Sequence, residues 1–154
     1  VRPGITLYGL YPCDSLRRKL VLRPVLAWRA RIILVKKLEP GESSGYGRTF
    51  TSEEETTIGI VPVGYSHGYP FSLSNKGVVL VRGKRYPVVG RVSMDYVAVN
   101  FGPRSSDIHA GELVTLLGQD GEDEISGEFL AEKAGTIPYE IMTQLNPAIP
   151  RIIV

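Results

Sequence analysis

VVLVRGKRYPVV, residues 78–89, is the stretch on which the reading of the fold turns. An apolar run, a polar break containing a glycine, and a second apolar run make a hairpin. Residues 78–81 form the outgoing strand, Arg82-Gly83-Lys84-Arg85 the turn and residues 86–89 the return, with Gly83 supplying the positive backbone angle a tight turn needs. Outward from the hairpin the same grammar continues. Residues 25–38 (VLAWRARIILVKKL) read as one long strand, with Trp28, Ala30, Ile32 and Leu34 on one face and Arg29 and Arg31 beginning the other. Residues 58–63, 96–100 and 113–117 are further short apolar runs bounded by turn residues. Only near the end does the period change. Residues 127–134 (GEFLAEKA) have helical spacing between Ser126 as N-cap and Gly135 as stop, and Pro138 opens a second helix reaching Leu145. The fold class expected is mainly β, an antiparallel barrel-like β-domain with two short C-terminal helices.

The bulk numbers narrow the function. At 154 residues the chain has room for one ordinary domain with a real core. A net charge of +2 with both signs interspersed gives neither the basic stripe of a nucleic-acid binder nor a polybasic membrane anchor. No apolar run approaches the roughly 20 residues of a membrane helix, and the first residues lack the pattern of a signal sequence. Cys13 is the sole cysteine, which excludes an internal disulfide and fits a reduced, cytoplasmic setting. There is no P-loop, no GxSxG elbow and no pair of histidines or cysteines at metal-ligand spacing, so no metal is expected. His67 and His109 stand far apart and read as surface or hydrogen-bonded side chains. Residue 1 is valine and runs straight into Arg2-Pro3-Gly4, which reads as the inside of a longer chain.

Four glycine- or proline-framed segments remain: RPGITLYG at 2–9, GYGRTF at 45–50, GYSHGYP at 64–70 and GRVSMD at 90–95. In the second, a tyrosine sits between two glycines just after a turn-like stretch, so Tyr46 is expected at a loop tip, displayed and not packed by its neighbours. Each segment alone also admits a plain structural reading. Tyr46, Tyr65 and Tyr69 can be turn aromatics covering the ends of a barrel, Met94 can be core filler, and Arg91 and Asp95 can form a surface ion pair of little worth.

Taken together and in order, RPG…YG, KKLEPGESSGYGRTF, VPVGYSHGYP, YPVVGRVSMD, AGTIPYE and PRI resemble the C-terminal domain of bacterial alanine racemase over nearly the whole chain. The resemblance implies a fold in which an N-terminal (β/α)8 barrel that holds pyridoxal 5'-phosphate is followed by a β-domain. Residues 1–12 would be the end of that barrel and its linker, and residues 13–154 the β-domain. It also implies roles. Arg2 faces the pyridine nitrogen of the cofactor, Gly4 and Ile5 offer backbone N–H groups to its phosphate, and Tyr139 reaches the same phosphate with its hydroxyl. Tyr46 is the catalytic base, Met94 holds the substrate carboxylate through its backbone N–H, and Tyr65 and Arg91 line the substrate entrance. In the family the β-domain of one subunit completes the active site of its partner in a homodimer, and the product, D-alanine, serves cell-wall peptidoglycan. The family's gate usually reads GYxDGYPR, whereas GYSHGYPF here puts His67 in place of the acid and Phe71 in place of the arginine. Ser93 stands where cysteine is frequent.

The chemistry makes sense of such residues. Racemisation takes the α-proton from one face of an amino acid and returns one to the other, so two groups must flank the reacting carbon. In the family the Schiff-base lysine serves one face and the displayed tyrosine the other. A phenol with its ordinary pKa near ~10 is a weak base at neutral pH, and bringing it to about 7 asks a site for roughly 4 kcal/mol of preference for phenolate. Arginine stays protonated, so beside the pyridine nitrogen it leaves that nitrogen without a proton and the ring a weaker electron sink. None of the chain's lysines matches the Schiff-base lysine, so this polypeptide alone is expected to be inactive and to hold no cofactor. Two other readings stay open: a serine or broad-spectrum amino-acid racemase domain, and a non-catalytic β-module that only binds a partner.

Overall fold

The computed structural model describes residues 1–103, 105 and 107–153. Val154, at which the expected β-domain ends, lies outside the described residues. The strands are β1 (Trp28–Arg31), β2 (Leu34–Leu38), β3 (Ser43–Ser44), β4 (Phe50–Thr51), β5 (Thr56–Val61), β6 (Val78–Val81), β7 (Lys84–Val89), β8 (Val97–Gly102), β9 (Leu113–Asp120) and β10 (Asp123–Ile125). The helices are α1 (Asp14–Arg17), α2 (Gly127–Ala134) and α3 (Pro138–Gln144), and short 3-10 turns occur at Gly4–Tyr8, Tyr46–Arg48, Tyr65–His67 and Phe71–Leu73. The large sheet runs in the order β1-β9-β6-β7-β8-β5-β2, with β10 paired to β9, and these ladders are antiparallel.

Its two edge strands are consecutive pieces of one chain. Residues 25–38 do not make the single strand their composition suggests. The Ile32 N–H donates to the Glu112 carbonyl at 2.9 Å, which keeps it with β9, and the next N–H, of Ile33, donates to the Ile60 carbonyl at 2.9 Å, beside β5. The chain therefore turns a corner between Ile32 and Ile33, and the sheet curls so that its opposite edges meet there, which gives the barrel-like form. The bend also shifts the alternation by one residue. Trp28 and Ile32 point inward as expected, but Leu34 is exposed and Val35 packs against the main core instead, while Leu38, on the same face as Leu34, is buried in the outer cluster.

The hairpin of β6 and β7 forms with a tighter turn than the composition suggests. Val81 pairs with Lys84, so only Arg82 (φ 52°) and Gly83 (φ 71°) are left over. Two left-handed residues make the turn whose twist matches that of the strands, and this lets the ladder run two residues further. Arg82 is held in that conformation by Asp107 (3.0 Å) and Glu112 (2.7 Å).

Both faces of the central strands are covered. Val61, Val88, Val97 and Val99 face a main core that includes Trp28, Tyr69, Leu80, Leu116 and Leu130. Their neighbours Ile58, Val89 and Ala98 form a second, smaller cluster with Leu38 on the opposite face, onto which Phe50 of β4 packs. This explains why those strands read as continuous apolar runs and not as alternating ones. α2 and α3 form as expected. Ser126 Oγ accepts from the Phe129 N–H at 3.1 Å, Gly135 ends α2 at φ 74°, and Pro138 occupies the first turn of α3. Residues before β1 lie along this body: the Val25 N–H donates to Tyr8 (3.2 Å) and the Tyr11 N–H to Glu128 (3.1 Å). Among the described residues no helix is long and apolar enough to cross a membrane.

Candidate functional site

Tyr46 stands at the tip of the small hairpin made by β3 and β4, whose only pairs are Ser43 with Thr51 and Ser44 with Phe50. Gly45 (φ 84°) and Gly47 (φ 73°) are both left-handed, and Arg48 (φ 49°) continues the sharp bend. The phenol is 76% exposed, so the display expected from its glycine flanks is what the fold produces. The hairpin itself is fixed by Phe50, which packs on the outer cluster.

Two further segments come against this tip. A Cβ at Gly90 would lie 2.6 Å from the Ser44 carbonyl oxygen, and one at Gly45 would lie 3.2 Å from the Arg91 nitrogen, so the backbones of 44–45 and 90–91 touch. The Arg91 guanidinium lies along Gly47, its Cζ 3.1 Å from where a Cβ would stand. The turn at 64–68 docks on the other side of 90–95. The Tyr65 and Ser66 N–H groups donate to the Ser93 and Met94 carbonyls, each at 3.0 Å, and Ser66 Oγ donates to Asp95 Oδ1 at 2.8 Å. Asp95 thus serves this turn, and among the described residues no ion pair joins it to Arg91. Tyr46, Tyr65, Phe71, Arg91, Met94 and Tyr96 line one open concavity of about 400 Å³, within the roughly 300–1,000 Å³ of ligand clefts. Met94 is 55% exposed and is not core filler. Among the described residues its backbone N–H has no acceptor within the chain, so a donor is left open at the wall of the concavity.

His67 has a local role. Its Nδ1 accepts from the Gly64 N–H at 3.2 Å and lies 3.1 Å from Ser66 Oγ, so an imidazole supplies the acceptor that this turn needs. Tyr69 departs from its neighbours Tyr46 and Tyr65. It is fully buried, edge-on to Trp28 at 6.1 Å, and its hydroxyl has no partner among the described residues. Burial alone pushes that phenol's pKa upward. A Cβ at Gly77 would stand 2.4 Å from the Tyr69 oxygen, so only glycine fits beside it.

The residues expected to hold the cofactor lie elsewhere: none of Arg2, Gly4, Ile5 and Tyr139 lines the concavity. Arg2 and Gly4 are exposed, Tyr139 is 43% exposed at the start of α3, and Ile5 is buried in the 3-10 turn Gly4–Tyr8. Among the described residues the Gly4 and Ile5 N–H groups have no acceptor within the chain. By type, a guanidinium, two open N–H groups and a phenol are donors from which a phosphate and a ring nitrogen can accept, and none of them provides a covalent attachment. Tyr96, 49% exposed in the concavity, was not among the residues singled out in the sequence, where its place in an apolar run marks it only as strand.

A family model described as alanine racemase, C-terminal domain, matches residues 25–153. An alanine racemase of Halothermothrix orenii is 44% identical over 151 residues, covering 98% of this chain and 40% of its own length. Among solved structures, alanine racemase from Bacillus anthracis with bound L-Ala-P superimposes with a TM-score of 0.91 at 36% identity, over 98% of this chain and 39% of that one. Alanine racemase from Bartonella henselae with covalently bound pyridoxal phosphate gives 0.88 at 30% identity, over 98% and 40%. The chain spans about two fifths of the length of the curated relatives it matches.

Proposed function

Since the chain belongs to the alanine racemase C-terminal domain family, we propose that it is the β-domain of a pyridoxal-phosphate racemase that interconverts L- and D-alanine in the cytoplasm for peptidoglycan synthesis. Residues 13–154 are that domain, and residues 1–12 belong to the end of the cofactor-binding barrel. The observation that carries this reading is the displayed phenol of Tyr46, which shares one concavity with the open N–H of Met94.

Each residue then has a task. The phenolic oxygen of Tyr46 takes the α-proton on one face of the amino acid and returns it in the reverse direction. The Met94 N–H donates to the substrate carboxylate and so fixes which face is presented. Tyr65 and Arg91 narrow the way in, beside Phe71. Arg2 takes the ring nitrogen of pyridoxal phosphate, and Gly4, Ile5 and Tyr139 take its phosphate. When bound, that cofactor delocalises the electron pair left behind by the proton. An exposed tip with no cofactor donors beside it suits delivery to another subunit, so the concavity of one protomer serves the cofactor of its homodimeric partner. This polypeptide by itself, without the covalent lysine, is inactive.

The test is Tyr46→Phe in the full-length enzyme. Enantiomers have equal free energies in water, so kcat/KM must fall equally in both directions, by about 10²–10⁴-fold. Proton exchange carries more information. In D2O the α-proton of one enantiomer continues to exchange, through the base on the opposite face, while that of the other becomes inert. Exchange of both enantiomers at wild-type rates would remove Tyr46 from the mechanism.

A further inference from the structure

The hairpin that carries Tyr46 has only two residues in each strand, too few for a ladder to fix the direction of its tip. Phe50 anchors one end of it from within. We propose that Asn75 is a positioning residue that extends this hold into the tip itself through the adjacent Thr49, an inference that rests on the role of Tyr46 above. Asn75 lies in the loop between Phe71–Leu73 and β6, outside every segment singled out in the sequence, and it does not line the concavity. Its backbone is left-handed (φ 57°), a conformation asparagine tolerates better than most residues. This turns the side-chain amide toward two segments at once. Oδ1 accepts from the Gly90 N–H at 2.6 Å and Nδ2 donates to Thr49 Oγ1 at 3.1 Å, while the Asn75 N–H donates to the Gly90 carbonyl at 3.2 Å.

Thr49 closes the tip that begins at Gly45, and Gly90 precedes Arg91. One amide therefore ties the loop of the base to the segment of the gate. The neighbouring Ser74 extends the grip, its Oγ accepting from the Val92 N–H at 3.0 Å, so Arg91 is held from both sides along the backbone. Only a group with an acceptor and a donor on one short arm can bond a backbone N–H and offer an N–H to a hydroxyl together, which asparagine does. Without it the Gly90 contact with Ser44 and the packing of Phe50 remain at the base of the hairpin, but Thr49 loses its hold and the tip between them is free to swing. The phenolic oxygen would then reach the α-proton less often, at little cost to substrate binding.

The experiment uses the full-length enzyme with L- or D-alanine in D2O, following loss of the α-proton of each enantiomer by NMR. Asn75→Gly keeps the left-handed backbone and removes the amide. Thr49→Val removes the acceptor, with almost no change in shape. In each variant, exchange of the enantiomer that Tyr46→Phe silences should fall about tenfold. Exchange of the other enantiomer and KM should stay within about twofold. The double variant should be no slower than Asn75→Gly alone. Equal slowing of both enantiomers, unchanged rates, or multiplicative losses in the double variant would each overturn the inference. If Tyr46→Phe is selective and Asn75→Gly is not, only the role of Asn75 fails; if Tyr46→Phe silences neither enantiomer, the base assignment fails and this inference with it.

Discussion

Gly90 and Gly135 have nearly the same backbone angle, φ 72° and 74°, in very different surroundings, and an alanine at each separates strain from crowding. Any alanine forced into the left-handed region costs roughly 1–2 kcal/mol. At Gly135, just past the end of α2, a Cβ meets nothing within 4 Å, so Gly135→Ala should lose that amount and no more. At Gly90 the Cβ would lie 2.6 Å from the Ser44 carbonyl oxygen, against the 3.4–4 Å of ordinary contact. Both sides are backbone and neither can rotate away, so the segments must part by about 0.8 Å, an overpacking of the kind that typically adds ~1–3 kcal/mol. Gly90→Ala should therefore cost about 2–5 kcal/mol. Urea denaturation followed through the fluorescence of Trp28, the only tryptophan and a core residue, reads both variants with one probe. Equal losses at the two sites would refute the close approach of 44–45 to 90–91, and with it the account of how the Tyr46 tip is seated.

Tyr69→Phe removes a buried hydroxyl that has no partner among the described residues, and should stabilise the protein by about 1 kcal/mol in the same assay; a loss of that size would mean that the oxygen is bonded after all. Asp123 is paired in two-fold fashion with Arg85 (2.6 and 2.7 Å), which holds its carboxyl below the usual 3.8. Because the folded value is the lower one, the stabilisation is complete above the ordinary range and is lost as the pH falls through the folded value. Asp123→Asn should therefore weaken the protein at neutral pH and match the parent in acid, and a stability gap that persists undiminished well below pH 3.8 would contradict this.

Local chemistry made much of this protein legible. The apolar runs, the glycine in the β6–β7 turn, Ser126 and Gly135 around α2 and Pro138 in α3 each act within a few residues, and the elements stand where those residues put them, give or take an end. The exposure of Tyr46 was legible for the same reason, since glycines on either side leave nothing nearby to cover a phenol. Tyr65 and Tyr69, four residues apart in one motif, were not separable: one lines the concavity and the other is the largest fully buried side chain, because only the assembled core decides which ring meets Trp28.

Where contacts join distant segments, composition was silent. The corner at Ile32–Ile33 depends on β9 and β5 each capturing half of one apolar run, and the resulting slip turns Leu34 outward. Phe50 and Asn75 look unremarkable in sequence, yet they seat the tip that carries the phenol. A backbone's bends follow from the steric limits of neighbouring residues and are written locally. The direction in which a short hairpin points is set by groups 26 to 46 positions away, and it exists only once the sheet has brought them together.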